Sequence, residues 1–147
     1  MRAILCKEYG PAETLVIEDV TSPVVKGHGV KVRVKAAGLN FPDTLIIEGK
    51  YQLKPTMPFS PGGEMSGEVI EVGEKVTRFK PGDRVAGLTG YGAFAEEVVV
   101  PEQNILPIPE SMSDEKAAAF SMVYGTSYYA LKQRANIQPG ETLLVLG

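Results

Sequence analysis

Residues 29–38 read Gly-Val-Lys-Val-Arg-Val-Lys-Ala-Ala-Gly. Val30, Val32, Val34 and Ala36 alternate there with Lys31, Arg33 and Lys35. Successive side chains of a strand point to opposite faces, so the alternation predicts a β-strand with one dry and one wet face. Shorter strand patterns surround it at residues 2–7, 14–20, 67–72, 84–87, 94–100 and 105–108. Prolines such as Pro11, Pro23, Pro58 and Pro81, with glycines at many of the turns, separate them. Many short strands with frequent turns predict a mainly β domain built as a partly closed barrel.

The pattern changes beyond Pro109. Ser113 is placed to cap a helix whose first turn holds Asp114 and Glu115, where negative charge suits the helix dipole. Alanines 117 to 119 favour helix, and Tyr124, Tyr128, Leu131 and Ala135 continue at helical spacing on what reads as a core-facing stripe. Gly125 interrupts that run, so two consecutive helices, or one kinked at Gly125, are expected. Asn136 and Pro139-Gly140 end it, and residues 142–146 read as a short, fully apolar, buried strand closing on Gly147. Such a strand is how a βα unit begins, and the expectation is that the chain is part of a longer protein.

Composition narrows the function classes. The 147 residues carry 15 Lys plus Arg against 18 Asp plus Glu, a formal net charge of −3, which leaves no basic surplus for a phosphate backbone. Nucleic acid is therefore not an expected partner. Apolar residues make up 44% of the chain, but no run approaches the roughly 20 residues needed to span a bilayer, so no membrane partner is expected either. Cys6 is the only cysteine, which removes intramolecular disulfides and cysteine-rich zinc sites. A reducing, cytoplasmic location fits.

Several runs occur in one order: residues 37–44 (Ala-Gly-Leu-Asn-Phe-Pro-Asp-Thr), residues 61–69 (Pro-Gly-Gly-Glu-Met-Ser-Gly-Glu-Val) leading to Val72-Gly73, Gly82-Asp83-Arg84-Val85, residues 92–96 (Gly-Ala-Phe-Ala-Glu) and residues 124–131 (Tyr-Gly-Thr-Ser-Tyr-Tyr-Ala-Leu). Each run alone is weak. Together they resemble the catalytic domain of medium-chain dehydrogenases/reductases, in the zinc-independent quinone oxidoreductase (zeta-crystallin-like) branch. The resemblance implies a GroES-like, partly closed β-barrel catalytic domain over residues 1–112. Residues 113–147 would supply connecting helices and the first strand of a truncated, Rossmann-type nucleotide-binding domain.

It also implies function. The expected role is the substrate-binding part of an NADPH-dependent quinone or enone reductase that transfers hydride without zinc, with NADP or NAD left open. The parent is expected to be a homodimer, and the 147 residues alone to be inactive. The alternatives are an enoyl-thioester reductase on the same scaffold, or a non-catalytic crystallin-like or binding protein. Zinc-dependent relatives hold their metal with a Cys and a His where this sequence resembles them with Asn40 and Gly63. A neutral amide and a bare glycine cannot replace thiolate and imidazole on zinc.

By the same resemblance Asn40 lines the nicotinamide and substrate cleft, acting in both catalysis and cofactor binding. Locally, Asn40 equally fits a helix cap before Phe41 and Pro42. Tyr51 resembles a tyrosine at the cleft rim; its phenol, of ordinary pKa about 10, can donate a hydrogen bond to a carbonyl, but it also fits a partly exposed loop aromatic. Thr126 resembles a cofactor-binding position near the nicotinamide carboxamide, and packing of a small residue explains it as well. Asp43 reads as a first-turn helix carboxylate, Glu64 as a structural hydrogen-bonding acid, and His28 as a surface loop residue. With one Cys and one His at unrelated places, the purified protein should hold no stoichiometric zinc; one tightly bound zinc per chain by elemental analysis would overturn that expectation.

Overall fold

The computed structural model describes residues 1–146. Its strands are β1 (Arg2–Leu5), β2 (Val16–Asp19), β3 (Gly29–Gly38), β4 (Glu64–Val72), β5 (Arg84–Leu88), β6 (Glu97–Pro101) and β7 (Ile105–Pro107). The helices are α1 (Phe41–Ile47), between β3 and β4, and α2 (Asp114–Ala118); a further helical run covers 121–134. β6, β3, β4, β5 and β7 lie side by side, every pair antiparallel. β1 and β2 form a separate antiparallel ribbon. The ribbon is sewn to the sheet by the bridges Ala3–Ala95 and Cys6–Phe59. The expectation of a mainly β domain with some helix holds, although the ladder is not continuous around a barrel.

The dry face of β3 places Val30 and Val32 in one cluster with Met65, Val69, Val85, Val98, Val100 and Ile105, drawn from β3 to β7. Arg33 and Lys35 are exposed as the alternation predicts, but Lys31 is buried. Lys31 sits opposite Glu71 on β4, and its Nζ donates to Glu71 Oε2 at 2.6 Å. The aliphatic stem lies in the sheet while the charged end reaches its cross-strand partner. A register shift between Lys31 and Val32 adjoins this pair.

Strand ends differ from the sequence pattern in informative ways. β4 begins at Glu64, not at Gly67, because Glu64, Met65 and Ser66 already pair with both β3 and β5. A charged first residue hides that start from a hydrophobicity pattern. β6 begins at Glu97, three residues later than expected, because residues 94–96 are occupied in meeting β1: Ile4 N–H donates to Phe94 O and Glu96 N–H to Arg2 O.

The C-terminal third departs further. Two consecutive helices do form, but the break falls at Ala119 (φ −98°, ψ 9°), whereas Gly125 is helical (φ −61°, ψ −45°). The run 121–134 has wide π-type turns at Ser121–Gly125 and Tyr129–Arg134 around an α turn at Thr126–Tyr128. Tyr128 is 62% exposed, so it is not the core residue its spacing implied, and Leu131 is half-buried. Residues 142–146 are exposed and form no strand: an extended apolar segment becomes a strand only against a partner, and none of the described strands lies beside it. Gly147, on which that expected strand closes, lies outside the described residues. No described helix is long and apolar enough to cross a membrane.

Close approach of backbones is what lets β3 and β4 sit in register. A β-carbon on Gly67 would run into the carbonyl oxygen of Arg33 across the ladder. Gly67→Ala should therefore cost about 1–3 kcal/mol or more, as overpacking does, and be read as a lowered urea midpoint; an unchanged midpoint would show that the two strands can part without cost.

Candidate functional site

Asn40 stands at the junction of β3 and α1. Its φ/ψ of −127°/158° is extended, and Pro42 in the first turn of α1 suits a helix start. Asp43 N–H donates to Asn40 O at 3.0 Å, and Asn40 N–H donates back to Asp43 Oδ2 at 2.8 Å. This reciprocal arrangement has the form of a capping box. Asn40 therefore starts the helix, as its capping reading expects, through its main-chain groups, and leaves its side-chain amide free to bond elsewhere.

That amide donates from Nδ2 to Glu64 Oε1 at 2.9 Å. Glu64 is 1% exposed, and its other oxygen, Oε2, accepts the Met122 N–H at 2.9 Å. Met122 lies in the first turn of the run 121–134, whose capping position is Phe120, a residue with no polar side chain to offer. The buried carboxylate on β4 thus satisfies a helix-start N–H that the local sequence leaves unpaired. One turn later Thr126 N–H donates to Met122 O. Asn40, Glu64, Met122 and Thr126 consequently form one connected set.

The space around the carboxylate is made by glycine. A β-carbon on Gly38 would lie 2.5 Å from Glu64 Oε1 and 2.7 Å from Ala118 O, so only glycine admits the acid and α2 together. Gly62 has φ +98°, and its neighbours are fixed by Thr89, whose hydroxyl donates to Gly62 O at 2.8 Å while its N–H donates to Gly63 O. The chain bends at Gly63 on its way into β4. A β-carbon on Gly63 would meet Asp43 Oδ1 at 3.5 Å and Met122 Cε at 3.6 Å, ordinary contact, so the bare position is a matter of sequence and not of space.

Tyr51 and Thr126 are placed differently from Asn40. Tyr51 is half-buried and packs against Cys6, Ile46, Ile47 and Phe59. Thr126 is exposed on its helical run. Asp43 takes the first-turn role read from sequence, and Glu64 the hydrogen-bonding one. Sequence reasoning misses Glu64 as the link between two helix starts; the available signal is Phe120, a capping position in need of a remote acceptor. His28, largely exposed as expected, is also bonded through Nδ1 to Glu102 Oε1 at 2.9 Å.

Residues 26–110 match the family model for the alcohol dehydrogenase GroES-like domain. The chain is 50% identical over 146 residues to the quinone oxidoreductase-like protein 2 homolog of Nematostella vectensis, covering 98% of this chain and 40% of that protein. It is similar to the solved structure of the human synaptic vesicle membrane protein VAT-1 homolog-like protein, with a TM-score of 0.92 and 37% identity over 95% of this chain and 45% of that one. The Escherichia coli quinone oxidoreductase complexed with NADPH aligns with a TM-score of 0.83 and 31% identity over 92% of this chain and 41% of that one. The chain spans about 40% of the length of the curated relatives it matches.

Burial raises the Asp43 carboxyl above its ordinary 3.8, against the lowering pull of the Asn40, Gly63 and Gly62 N–H groups. The folded state then holds this proton to higher pH than the unfolded state. The associated stability is fully present below the unfolded value of 3.8 and is lost as pH rises through the raised folded value. Relative to Asp43→Asn, which does not titrate, the protein should lose stability upward across that window in urea unfolding; a difference that grows with pH would reverse the sign and contradict the burial effect.

Proposed function

This chain belongs to the family of alcohol dehydrogenase GroES-like domains, and on that premise we propose that it is the substrate-binding part of an NADPH-dependent oxidoreductase that reduces quinones or enones without zinc. Residues 1–112 act as the catalytic domain, and residues 113–147 lead into a nucleotide-binding domain of a cytoplasmic, homodimeric parent. The relatives named quinone oxidoreductase, and the NADPH carried by one of them, support this reading.

The observation that carries it is the amide of Asn40 bonded to Glu64 where zinc-dependent members resemble this chain with a thiolate ligand. A carboxamide nitrogen engaged with a carboxylate is a poor donor set for zinc, and Gly63 brings no side chain. A substrate that is already electrophilic does not require the metal. The donor set suits the nicotinamide end of the cofactor: Asn40 is half-exposed with further hydrogen-bonding capacity, and Thr126 offers an exposed hydroxyl. When bound, NADPH supplies the hydride. The chain's own part is to orient: Asn40 and Thr126 hold the ring, and the Tyr51 phenol donates a hydrogen bond to the substrate carbonyl.

The test is NADPH oxidation by the complete polypeptide with a panel of quinones, enones and enoyl thioesters. Quinones and enones should be turned over; a preference for enoyl thioesters would move the activity to that class, and no turnover of any of them would indicate a binding protein. Asn40→Ala and Tyr51→Phe should each lower kcat roughly tenfold or more, about 1.4 kcal/mol of transition-state stabilisation per tenfold. Near-normal kinetics in both variants would return Asn40 to helix capping and Tyr51 to packing.

A further inference from the structure

Glu64 is a charged side chain at the interior end of β4, almost fully buried, and no lysine, arginine or histidine pairs with it among the described ion pairs. Burying a carboxylate without a countercharge is costly unless its oxygens are well hydrogen-bonded. Here each oxygen accepts one N–H, from Asn40 Nδ2 and from Met122 N, both at 2.9 Å. The two donors belong to the starts of different helical segments, α1 and the run 121–134. Nothing about α1 or the run by itself brings their starts to one point.

We infer that Glu64 is a positioning residue: by accepting from both sides at once it fixes which way round the Asn40 amide lies and holds the run 121–134, with Thr126, at a set distance from it. The inference rests on the proposed reading that Asn40 and Thr126 line the cofactor cleft. Three constraints support it. Nδ2 of Asn40 has an acceptor in front of it and cannot exchange places with Oδ1 without setting oxygen against oxygen. The Met122 N–H has no capping side chain at Phe120 to fall back on. Gly38 keeps the space that a β-carbon would take from Glu64 Oε1 and Ala118 O. The tie is direct to Asn40 and runs through Met122 to Thr126, so a shift of the carboxylate is passed to both residues.

The donor and acceptor pattern makes a sharp test. In Glu64→Gln the side chain keeps one acceptor oxygen, which the Met122 N–H requires, so its amide nitrogen must face Asn40. Asn40 then either opposes it donor to donor or turns over, which exchanges the donor and acceptor that its amide offers on the far side while its main-chain bonds to Asp43 stay in place. Asn40→Asp alone sets two carboxylates together. The pair Glu64→Gln with Asn40→Asp restores the pattern with the charge moved across the bond: the introduced amide would accept from Met122 N–H through its oxygen and donate through its nitrogen to the introduced carboxylate.

The experiment measures kcat, KM for NADPH and thermal midpoint in the complete polypeptide for Glu64→Gln, Asn40→Asp and the double variant. Glu64→Gln should lower kcat roughly tenfold with a smaller change in KM, the sign of a loss felt mainly in the transition state. The double variant should regain at least severalfold in kcat over Glu64→Gln. Unchanged kcat in Glu64→Gln, or a double variant no better than the product of the singles, overturns the inference. If Glu64→Gln fails to fold, the comparison is Asn40→Asp against the double variant: a higher kcat and midpoint in the double supports positioning, and equal or lower values overturn it. Asn40→Ala separates the two levels, because normal kinetics there removes the cleft reading itself, whereas impaired kinetics there with a neutral Glu64→Gln removes only the positioning role.

Discussion

A buried carboxylate that must find two donors governs how the helical parts of this molecule meet its sheet. Glu64 opens β4, the strand that pairs with both β3 and β5, and so is held by ladders on two sides. Its oxygens are each held by one hydrogen bond above a backbone paired on both sides. α1 and the run 121–134 come to this fixed point through Asn40 and Met122. α2 is secured next to it by different means, with Ser66 Oγ donating to Asp114 O at 2.6 Å and Arg84 Nη2 bridging Met112 O and Asp114 Oδ1. Two positions of β4, Glu64 and Ser66, therefore hold three helical segments, two through a charge and one through a hydroxyl.

The same device recurs among the loops. Glu102 accepts from the Thr77 and Arg78 N–H groups with Oε2 and meets His28 with Oε1. These bonds, that to His28 foremost, hold its carboxyl below the usual range. A short sheet with many turns has a small core for its length of chain, and its loops carry many main-chain groups that no ladder satisfies. Carboxylates that accept two or three N–H groups each do that work, and among the described residues no buried side-chain polar atom is left without a partner.

How much of this is legible in the sequence depends on whether the deciding contact is local. β3 is readable from its own alternation, and the Ser113 cap of α2 from its spacing; the structure has both, with the Ser113 side chain accepting from Lys116 N–H. Asp43 is likewise legible, because a helix start and its carboxylate are three residues apart. Lys31 is not, since its burial depends on Glu71 forty positions away. Nor is the junction at Glu64, whose partners lie 24 and 58 positions away. The motif around Glu64 marks it as acidic in a glycine-rich turn, but a one-dimensional pattern holds no record of which N–H groups a strand end will face. The break between the C-terminal helices escapes for a related reason. Gly125 is the weakest helix former in that stretch, yet the chain turns at Ala119, where the demand of packing α2 beside Gly38 outweighs propensity.

The last mismatch concerns apolar residues that periodicity assigns to a core. Tyr124, Tyr128, Leu144, Val145 and Leu146 are all well exposed, and Phe120 stacks on Tyr124 at 4.9 Å with no strand beneath them. Spacing of this kind is selected by whatever the face touches, so it reports that burial is required and is silent on what provides it. In the five-stranded sheet the strands supply one another's partners, which is why the valines of β3 that the alternation marks as dry, Val30 and Val32, are fully buried. Residues 120–146 carry the pattern with most of their large apolar side chains exposed, although the start of the run is tied to β4 through Met122. Glu64 is where the two regimes join: it is held in the ladders of β4 on one side, and on the other it anchors a run whose large apolar side chains are mostly exposed. Asn40 stands at the sheet end of this junction and Thr126 on the exposed helical run, so the carboxylate between them relates a partly buried half of the candidate site to an exposed one.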